Sequence, residues 1–403
     1  MTTLPNPEFG DAAGWVDRHL GHLVHPGTVA SSAIRGGQRA AHVALAGYDV
    51  TRYASRRNEV WPESRRGASR LSPYIRHGLI TLPEAWEHVR GGPAKDVQKF
   101  RDELLWQEYA RHVYARLGRR TSQPLRHLPP RSDPWQEPWD RSMACVDLAV
   151  GELIDDGWLV NQTRMWMSSQ WTVRGGADWA DGEDEFFRHL LDGSRAANRL
   201  GWQWTVGTGT GRPYGFSRWQ VDKRAPGLCQ GCVHRDGCPI DDRPDPQPGP
   251  QVTEPLLRSD PDPTATAGPG KVLVSGPPDA VWLTAESLGS SDPASVANPE
   301  LPAVFVFDGP LLQRLSLSAN RLVFLTECLA DLAATRDLEI HLGRPADVLA
   351  DRRVAVTFAP VPGFRRLEDA LGGSIAELHP WPWLRRPHGG PIGSFSAWRK
   401  RAR

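Results

Sequence analysis

The sequence predicts two domains of different class, an all-helical one followed by a Rossmann-like parallel α/β one. Three observations carry that expectation. At 403 residues the chain exceeds what a single hydrophobic core usually organises. Residues 1–240 carry apolar residues at helical spacing with almost no strand-like alternation, whereas residues 271–403 hold short β-rich runs between helical stretches. Between them, residues 241–270 (DDRPDPQPGPQVTEPLLRSDPDPTATAGPG) are too rich in Pro, Asp and Gly to build a core and read as an extended linker.

Taken in chain order, the first strong helix is 96–117, where Phe100, Leu104, Leu105, Tyr109, Val113 and Leu117 recur on one face. Residues 143–156 and 158–173 form a second helical pair, and nothing in this half alternates like a strand. After the linker, Lys271–Ser275, Ala280–Leu283, Ala303–Phe307, Leu338–Leu342 and Val354–Phe358 are apolar runs of strand length. The helical stretch Asn320–Thr335 intervenes, and buried strands alternating with helices predict a parallel sheet.

The formal net charge is +1, so no global field draws the chain to nucleic acid, and any such affinity needs a local patch. No apolar run reaches membrane-spanning length, and the first 20 residues lack the basic and apolar regions of a secretory signal. A cytoplasmic protein is the expectation. Tryptophan is the outlier: of 17 residues, 13 precede residue 220. Core packing explains most of them singly. Their density also suits electron hopping or base stacking.

Three segments of the helical half together resemble the FAD-binding domain of the DNA photolyase and cryptochrome family. The first is Ser69-Arg70-Leu71-Ser72-Pro73-Tyr74-Ile75, with Tyr53 before it and Gly78 after it. The second is Glu103-Leu104-Leu105-Trp106-Gln107-Glu108. The third runs from Gly157-Trp158-Leu159-Val160-Asn161-Gln162-Thr163-Arg164-Met165 through Asp178-Trp179, Asp192-Gly193 and Ala196-Ala197-Asn198 to Gly201-Trp202-Gln203-Trp204. Order and spacing hold across residues 50–240 and weaken before residue 50.

The resemblance implies FAD as cofactor, bound by Tyr53, Ser69, Arg70, Leu71, Ser72, Phe100, Arg164, Asp192 and Asn198. Ser69, Arg70, the backbone near Leu71 and Ser72 supply donors of the kind a pyrophosphate needs at a helix start, although the same four residues also read as an ordinary helix cap. Asn198 is implied to face the reactive edge of the flavin beside an Arg164–Asp192 ion pair, and a fixed cation there tunes flavin electronics. Glu103, Trp106, Asn161, Met165 and Trp204 match the pocket that takes an extruded pyrimidine dimer from damaged DNA, where indoles stack on bases. Trp202 and Trp179 match two members of the tryptophan relay, and Trp135 and Trp139 are candidates for the third.

This sequence departs from the family at several points. Gln107 stands where relatives usually carry Arg, Ser194 where they carry Asp, and Ala68 where they carry Thr. Val160-Asn161 replaces the histidine pair that marks repair of the other common ultraviolet lesion, which favours cyclobutane dimers.

Five cysteines in a chain without a signal argue against a disulfide framework. Cys229, Cys232 and Cys238 fall within ten residues, a spacing that suits thiolate-held metal. Zinc or an iron–sulfur centre would serve. A bacterial branch of the same family holds a four-iron, four-sulfur cluster on one upstream and three downstream cysteines. Resemblance to it implies Cys145, Cys229, Cys232 and Cys238 as ligands and leaves Cys328 to packing.

In ordinary family members an α/β domain precedes the flavin domain. Here Ala280–Leu283, Val304–Asp308, Ser316–Arg321 and Leu342–Pro345 resemble that domain in order but follow the flavin half, so the chain looks circularly permuted about its linker. Thr284–Leu288 replaces a run rich in Arg and Asp, which leaves an antenna chromophore open. The basic end, Arg399-Lys400-Arg401-Ala402-Arg403, reads as a solvated tail that could touch phosphates. The whole implies light-driven electron transfer to pyrimidine dimers. The alternatives are a cryptochrome-type photoreceptor with a protein partner, or a light-independent flavin and iron–sulfur redox enzyme.

Overall fold

Seven strands form one sheet in the computed structural model, which describes residues 1–129, 137–247 and 249–402. They are β1 (Thr2–Leu4), β2 (Leu273–Val274), β3 (Ala280–Leu283), β4 (Ala303–Asp308), β5 (Leu338–Gly343), β6 (Val354–Thr357) and β7 (Ile375–His379). Their spatial order is β1-β5-β4-β3-β6-β7-β2. The central five, β5-β4-β3-β6-β7, are parallel, and their sequence of neighbours is that of a doubly wound Rossmann-like sheet. β1 and β2 close the two edges antiparallel, on β5 and β7.

Alternation along the strands separates two cores, because successive side chains leave opposite faces. Val281, Leu283, Ala303, Phe305, Phe307 and Ile340 face one cluster, shared with the N-terminal helix Ala12–Leu20 and the helix Ala319–Ala333. Ala280, Trp282, Val304, Val306, Val354 and Val356 face the other, under the helix Pro362–Leu371. Burial on both faces is why these runs carry no polar alternation.

The rest of the chain is helical. Ala94–Leu117 is the longest helix, and Ala144–Gly151, Asn161–Ser168, Trp179–His189 and Ala197–Thr205 gather beside it. Two of them widen to π geometry at their ends, over Glu152–Asp156 and Ser169–Arg174. No helix among the described residues is long and apolar enough to cross a membrane.

Four expectations need correction. The first half is not wholly α: Thr2–Leu4 pairs with β5, and Trp15 packs on Phe307, so the N-terminal segment covers the sheet. A three-residue strand is too short to leave a periodic signal. Lys271–Ser275 is not a buried strand, since Leu273 and Val274 lie exposed on an edge that pairs on one side only. The Pro/Asp-rich linker is not simply extended. Glu254 and Asp262 cap short helices that begin at Pro255 and Pro263, because Pro at a helix start leaves no backbone donor wasted. Leu257 and Ala267 are thereby buried, and Arg116 and Asp260 pair at 3.1 Å out of solvent. Last, Arg399 is not part of a solvated tail: it ends the helix Phe395–Arg399 and pairs with Asp102, while Lys400 and Arg401 beyond it are exposed.

The α/β half grips the flavin-type segments directly. Asn320 Nδ2 donates to the carbonyls of Ile154 and Asp155, and buried Arg321 donates to those of Phe187 and Gly193. Arg76 pairs with Glu286 at 2.9 Å. Gly78 and Gly289 bring two loops so close that a Cβ at either would collide with the backbone of the other loop.

Candidate flavin and lesion site

Arg164, on the helix Asn161–Ser168, is the hub of the site. Its Nη2 donates to Asp192 Oδ2 at 2.8 Å and its Nη1 to Asn198 Oδ1 at 3.2 Å. Its Nε is tied to the Leu159 carbonyl. One guanidinium therefore fixes a carboxylate and an amide that follow it by 28 and 34 residues. Asn198 Nδ2 and Asp192 Oδ1 are buried without a hydrogen-bond partner. Buried polar groups are almost always satisfied, so an orphan donor beside an orphan acceptor calls for a polar ligand. A flavin edge, with its ring nitrogens and carbonyls, supplies both kinds of partner.

The implied cofactor residues flank this hub unevenly. Tyr53 and Phe100 are buried and meet edge to face at 5.1 Å. Leu71 is buried as well. Arg70 holds a left-handed backbone (φ 55°), lies over the Trp158 ring at 5.2 Å and pairs with Glu63. Ser72 Oγ accepts from Trp158 Nε1 at 3.1 Å, and Ser69 Oγ accepts from the Leu71 amide. The helix these residues open, Ser72–Arg76, is only five residues long. Its dipole is therefore slight, and the serine hydroxyls and Arg70 are the donors that remain for a phosphate.

The five residues matched to the lesion pocket sit on three helices, of which Ala197–Thr205 touches both others. Trp106 and Trp204 are exposed at 37% and 42%, unusual for indoles in a protein whose other tryptophans are mostly buried. Asn161 is exposed at its helix start and Met165 is half-buried. Glu103 is held by Lys99 Nζ at 2.7 Å and Arg57 Nε at 3.2 Å, partners that the sequence did not reveal. Trp106 also stacks on Phe395, with centroids 4.1 Å apart and planes at 9°. Of the family departures, Ser194 Oγ accepts from the Ala196 amide and Gln107 is half-buried.

The tryptophans matched to the relay by resemblance lie in the neighbouring core. Trp202 and Trp179 are buried in one cluster. Trp135 falls outside the described residues. Trp139 is half-buried, donates to the Met167 carbonyl, and meets Trp171 edge to face at 4.7 Å. Trp171 went unnoticed in the sequence. A Cβ at Gly182 would collide with the Trp202 ring and stand 2.9 Å from Trp171, so this glycine lets both indoles pack against its helix. A glycine inside the helix Trp179–His189 was the available signal, since helices disfavour it without a reason of packing.

The four cysteines converge on the same core. Burial first, then the neighbouring thiols of Cys229, Cys238 and Cys232, push the Cys145 thiol up to about 12. The Ala144 amide points at Cys232 Sγ at 3.5 Å. All five cysteines are free, and Cys328 is buried in the α/β half, as packing predicts. Among the described residues, no three His, Cys, Asp or Glu side chains are drawn together as a chelate for a single metal ion.

A larger pocket of about 410 Å³, counting the solvent at its mouth, lies at the crevice beside β3 and β6, lined by Gly78, Arg111, Glu286 and Trp381 among others. This is the position where doubly wound sheets bind ligands. It does not reach Arg164, Asp192 or Asn198.

The Arg–Asp–Asn hub thus lies among helices, with exposed indoles on the same helices and a Rossmann-like sheet docked on them. Residues 100–221 match the model of the FAD binding domain of DNA photolyase. This span, which holds Arg164, Asp192 and Asn198, is similar to the FAD-binding domain of the photolyase/cryptochrome family. The chain is 31% identical over 211 residues to a deoxyribodipyrimidine photo-lyase of Synechococcus sp., covering 47% of this chain and 40% of that protein. It is 35% identical over 173 residues to one of Thermus thermophilus, covering 40% and 39%. The chain thus spans about two fifths of the length of these relatives. A cryptochrome of Synechocystis sp. PCC6803 superposes with a TM-score of 0.43 at 22% identity, over 50% of this chain and 46% of that one, a likeness too partial to bear on function.

Proposed function

We propose that the protein binds FAD at the Arg164–Asp192–Asn198 hub and repairs cyclobutane pyrimidine dimers in DNA under blue light. The observation that carries this reading is the buried, unpartnered pair Asn198 Nδ2 and Asp192 Oδ1, oriented by Arg164 near exposed Trp106 and Trp204. Bound flavin in its reduced form supplies, on excitation, the electron that splits the dimer. The chain's own residues do the rest. Asn198 presents its amide to the ring edge, and the Arg164 charge holds negative charge there. Trp106 and Trp204 stack on the extruded bases, which excludes water from them. Glu103 and Asn161 accept and donate hydrogen bonds to the base edges, with Met165 filling the remaining contact. Lys99 and Arg57 keep Glu103 in place. Trp202 and Trp179 carry electrons inward to restore the reduced cofactor.

We further read Cys145, Cys229, Cys232 and Cys238 as the ligands of an iron–sulfur cluster. The closeness of Cys229, Cys232 and Cys238 to the buried Cys145 thiol supports that reading. The α/β half is read as a permuted antenna-type domain, placed after the flavin domain and in contact with it. Five free cysteines suit a reducing, cytoplasmic setting. Flavin absorbance of the purified protein, with and without photoreduction, tests the cofactor. Dimer repair by Trp106→Ala tests the pocket, and the variant is expected to bind flavin but lose most repair.

A further inference from the structure

The C-terminal helix Phe395–Arg399 reaches across to the flavin half and packs beside Trp106. In the helix Ala94–Leu117, Asp102, Leu105 and Tyr109 share one side, and Glu103 and Gln107 share the next. The C-terminal helix engages the first side. Arg399 pairs with Asp102 at 2.8 Å, and Tyr109 donates to the Ile392 carbonyl at 2.7 Å. The Tyr109 ring meets Phe395 edge-on at 5.8 Å. Phe395 therefore stacks on Trp106 from the side of Tyr109, and Trp106 still exposes 37% of its surface.

This contact is built to be rigid. Trp398 is fully buried and donates through Nε1 to His112 Nδ1 at 2.7 Å. The same helix brings cations to the rim. Lys400 and Arg401 are exposed, and Arg126 is exposed beside them, with its Nη1 on the Gly393 carbonyl at 3.4 Å. Arg126, Lys400 and Arg401 have no acidic partner within 4.0 Å among the described residues, whereas Arg399 is neutralised by Asp102. In a chain of net charge +1, this is a local surplus next to an exposed stacking indole.

We propose that the C-terminal segment completes the DNA site: Phe395 braces Trp106 from behind, and Arg126, Lys400 and Arg401 take phosphates of the strand flanking the extruded bases. Phe395 is a positioning residue, since it touches Trp106 and not the bases. The inference rests on the DNA-repair reading, and the two fail separately. A braced indole presents its free face at one angle, so the brace acts on lesion binding alone. Phosphate contacts act on all DNA and are read as counterion release.

The test is fluorescence-anisotropy titration of the full protein with a single-stranded oligothymidylate, with and without one cyclobutane dimer, over a salt series. Arg126→Gln/Lys400→Gln is expected to weaken both oligonucleotides by the same factor, about tenfold. It should also lower the slope of log affinity against log salt by about 1.4, two contacts' worth on a single strand. Phe395→Leu is expected to weaken only the dimer, several-fold, and Phe395→Tyr to restore it. Arg314→Gln, on the far α/β surface, should change neither. An unchanged salt slope in the double variant overturns the phosphate contacts, and equal loss on both oligonucleotides in Phe395→Leu overturns the brace. Wild type that binds neither oligonucleotide overturns the DNA reading itself.

Discussion

Arg164 determines whether the hub can exist at all. Its replacement by Met would leave the Asp192 carboxylate, 8% exposed at its side chain, without its cation. Removing one partner of such a buried pair costs about 3–5 kcal/mol. Arg164→Met is therefore expected to lower stability in denaturant melts by that amount and to abolish flavin retention. Full flavin occupancy at unchanged stability would contradict the assignment. Gly182 makes a second residue-scale case. Gly182→Ala displaces the Trp202 ring and crowds Trp171, and Trp171→Phe removes the second indole outright. Both should slow blue-light reduction of the flavin by an external thiol, about tenfold or more. Flavin content should stay the same, and an unaltered rate in both variants would exclude Trp171 from the relay. Neither Trp171 nor the pairing of Glu103 with Lys99 and Arg57 was legible in the sequence. Each depends on which helix faces which, and spacing along one helix does not encode that.

Among the elements, the C-terminal helix is attached through a contact that is sensitive to pH. His112 donates from Nε2 to the Arg385 carbonyl and accepts at Nδ1 from Trp398. That arrangement fits only the neutral ring. Burial chiefly, with His388, Arg111 and Arg116 nearby, lowers its pKa from 6.5 to about 3. The unfolded chain binds this proton below pH 6.5 and the folded chain does not. The stabilisation is thus complete above pH 6.5 and is lost as pH falls toward about 3, by about 1.4 kcal/mol per unit. Hydrogen exchange of residues 385–399 should accelerate between pH 6.5 and pH 4 more than that of the sheet. Equal protection at both ends of that range would contradict this.

Element identity was the part most legible in the sequence. Ala280–Leu283 was read at its observed bounds because strands buried on both faces carry uninterrupted apolar residues. β7 escaped notice because Glu377 and His379 interrupt its pattern, each polar group being satisfied by the other across 2.9 Å. The linker misled because Pro and Asp serve equally as helix starters and as chain extenders.

At the scale of the molecule, the two halves are bound by buried polar contacts rather than by a tether. Arg321 is buried and donates to carbonyls of the segment that leads to Asp192. Arg321→Met would leave the Phe187 and Gly193 carbonyls without that donor, at a cost of about 1–3 kcal/mol each. It is expected to lower the melting temperatures of both halves together, followed by tryptophan fluorescence for the flavin half and circular dichroism for the sheet. Separate transitions, with only the α/β half affected, would show the docking to be energetically slight. The order of the two textures was visible in the sequence, but their mutual grip was not, since contacts such as those of Asn320 and Arg321 with backbone carbonyls leave no pattern along the chain.

The central claim is light-driven repair at the Arg164–Asn198 hub. Its most direct test is blue-light repair of a cyclobutane thymine dimer in single- and double-stranded DNA by the photoreduced protein, with a dark control and the Trp106→Ala variant. Repair that requires light and falls at least about a hundredfold in the variant is the predicted result, in line with the stacking worth of about 1–3 kcal/mol per base at two bases. No repair by protein that demonstrably holds photoreducible flavin would contradict it.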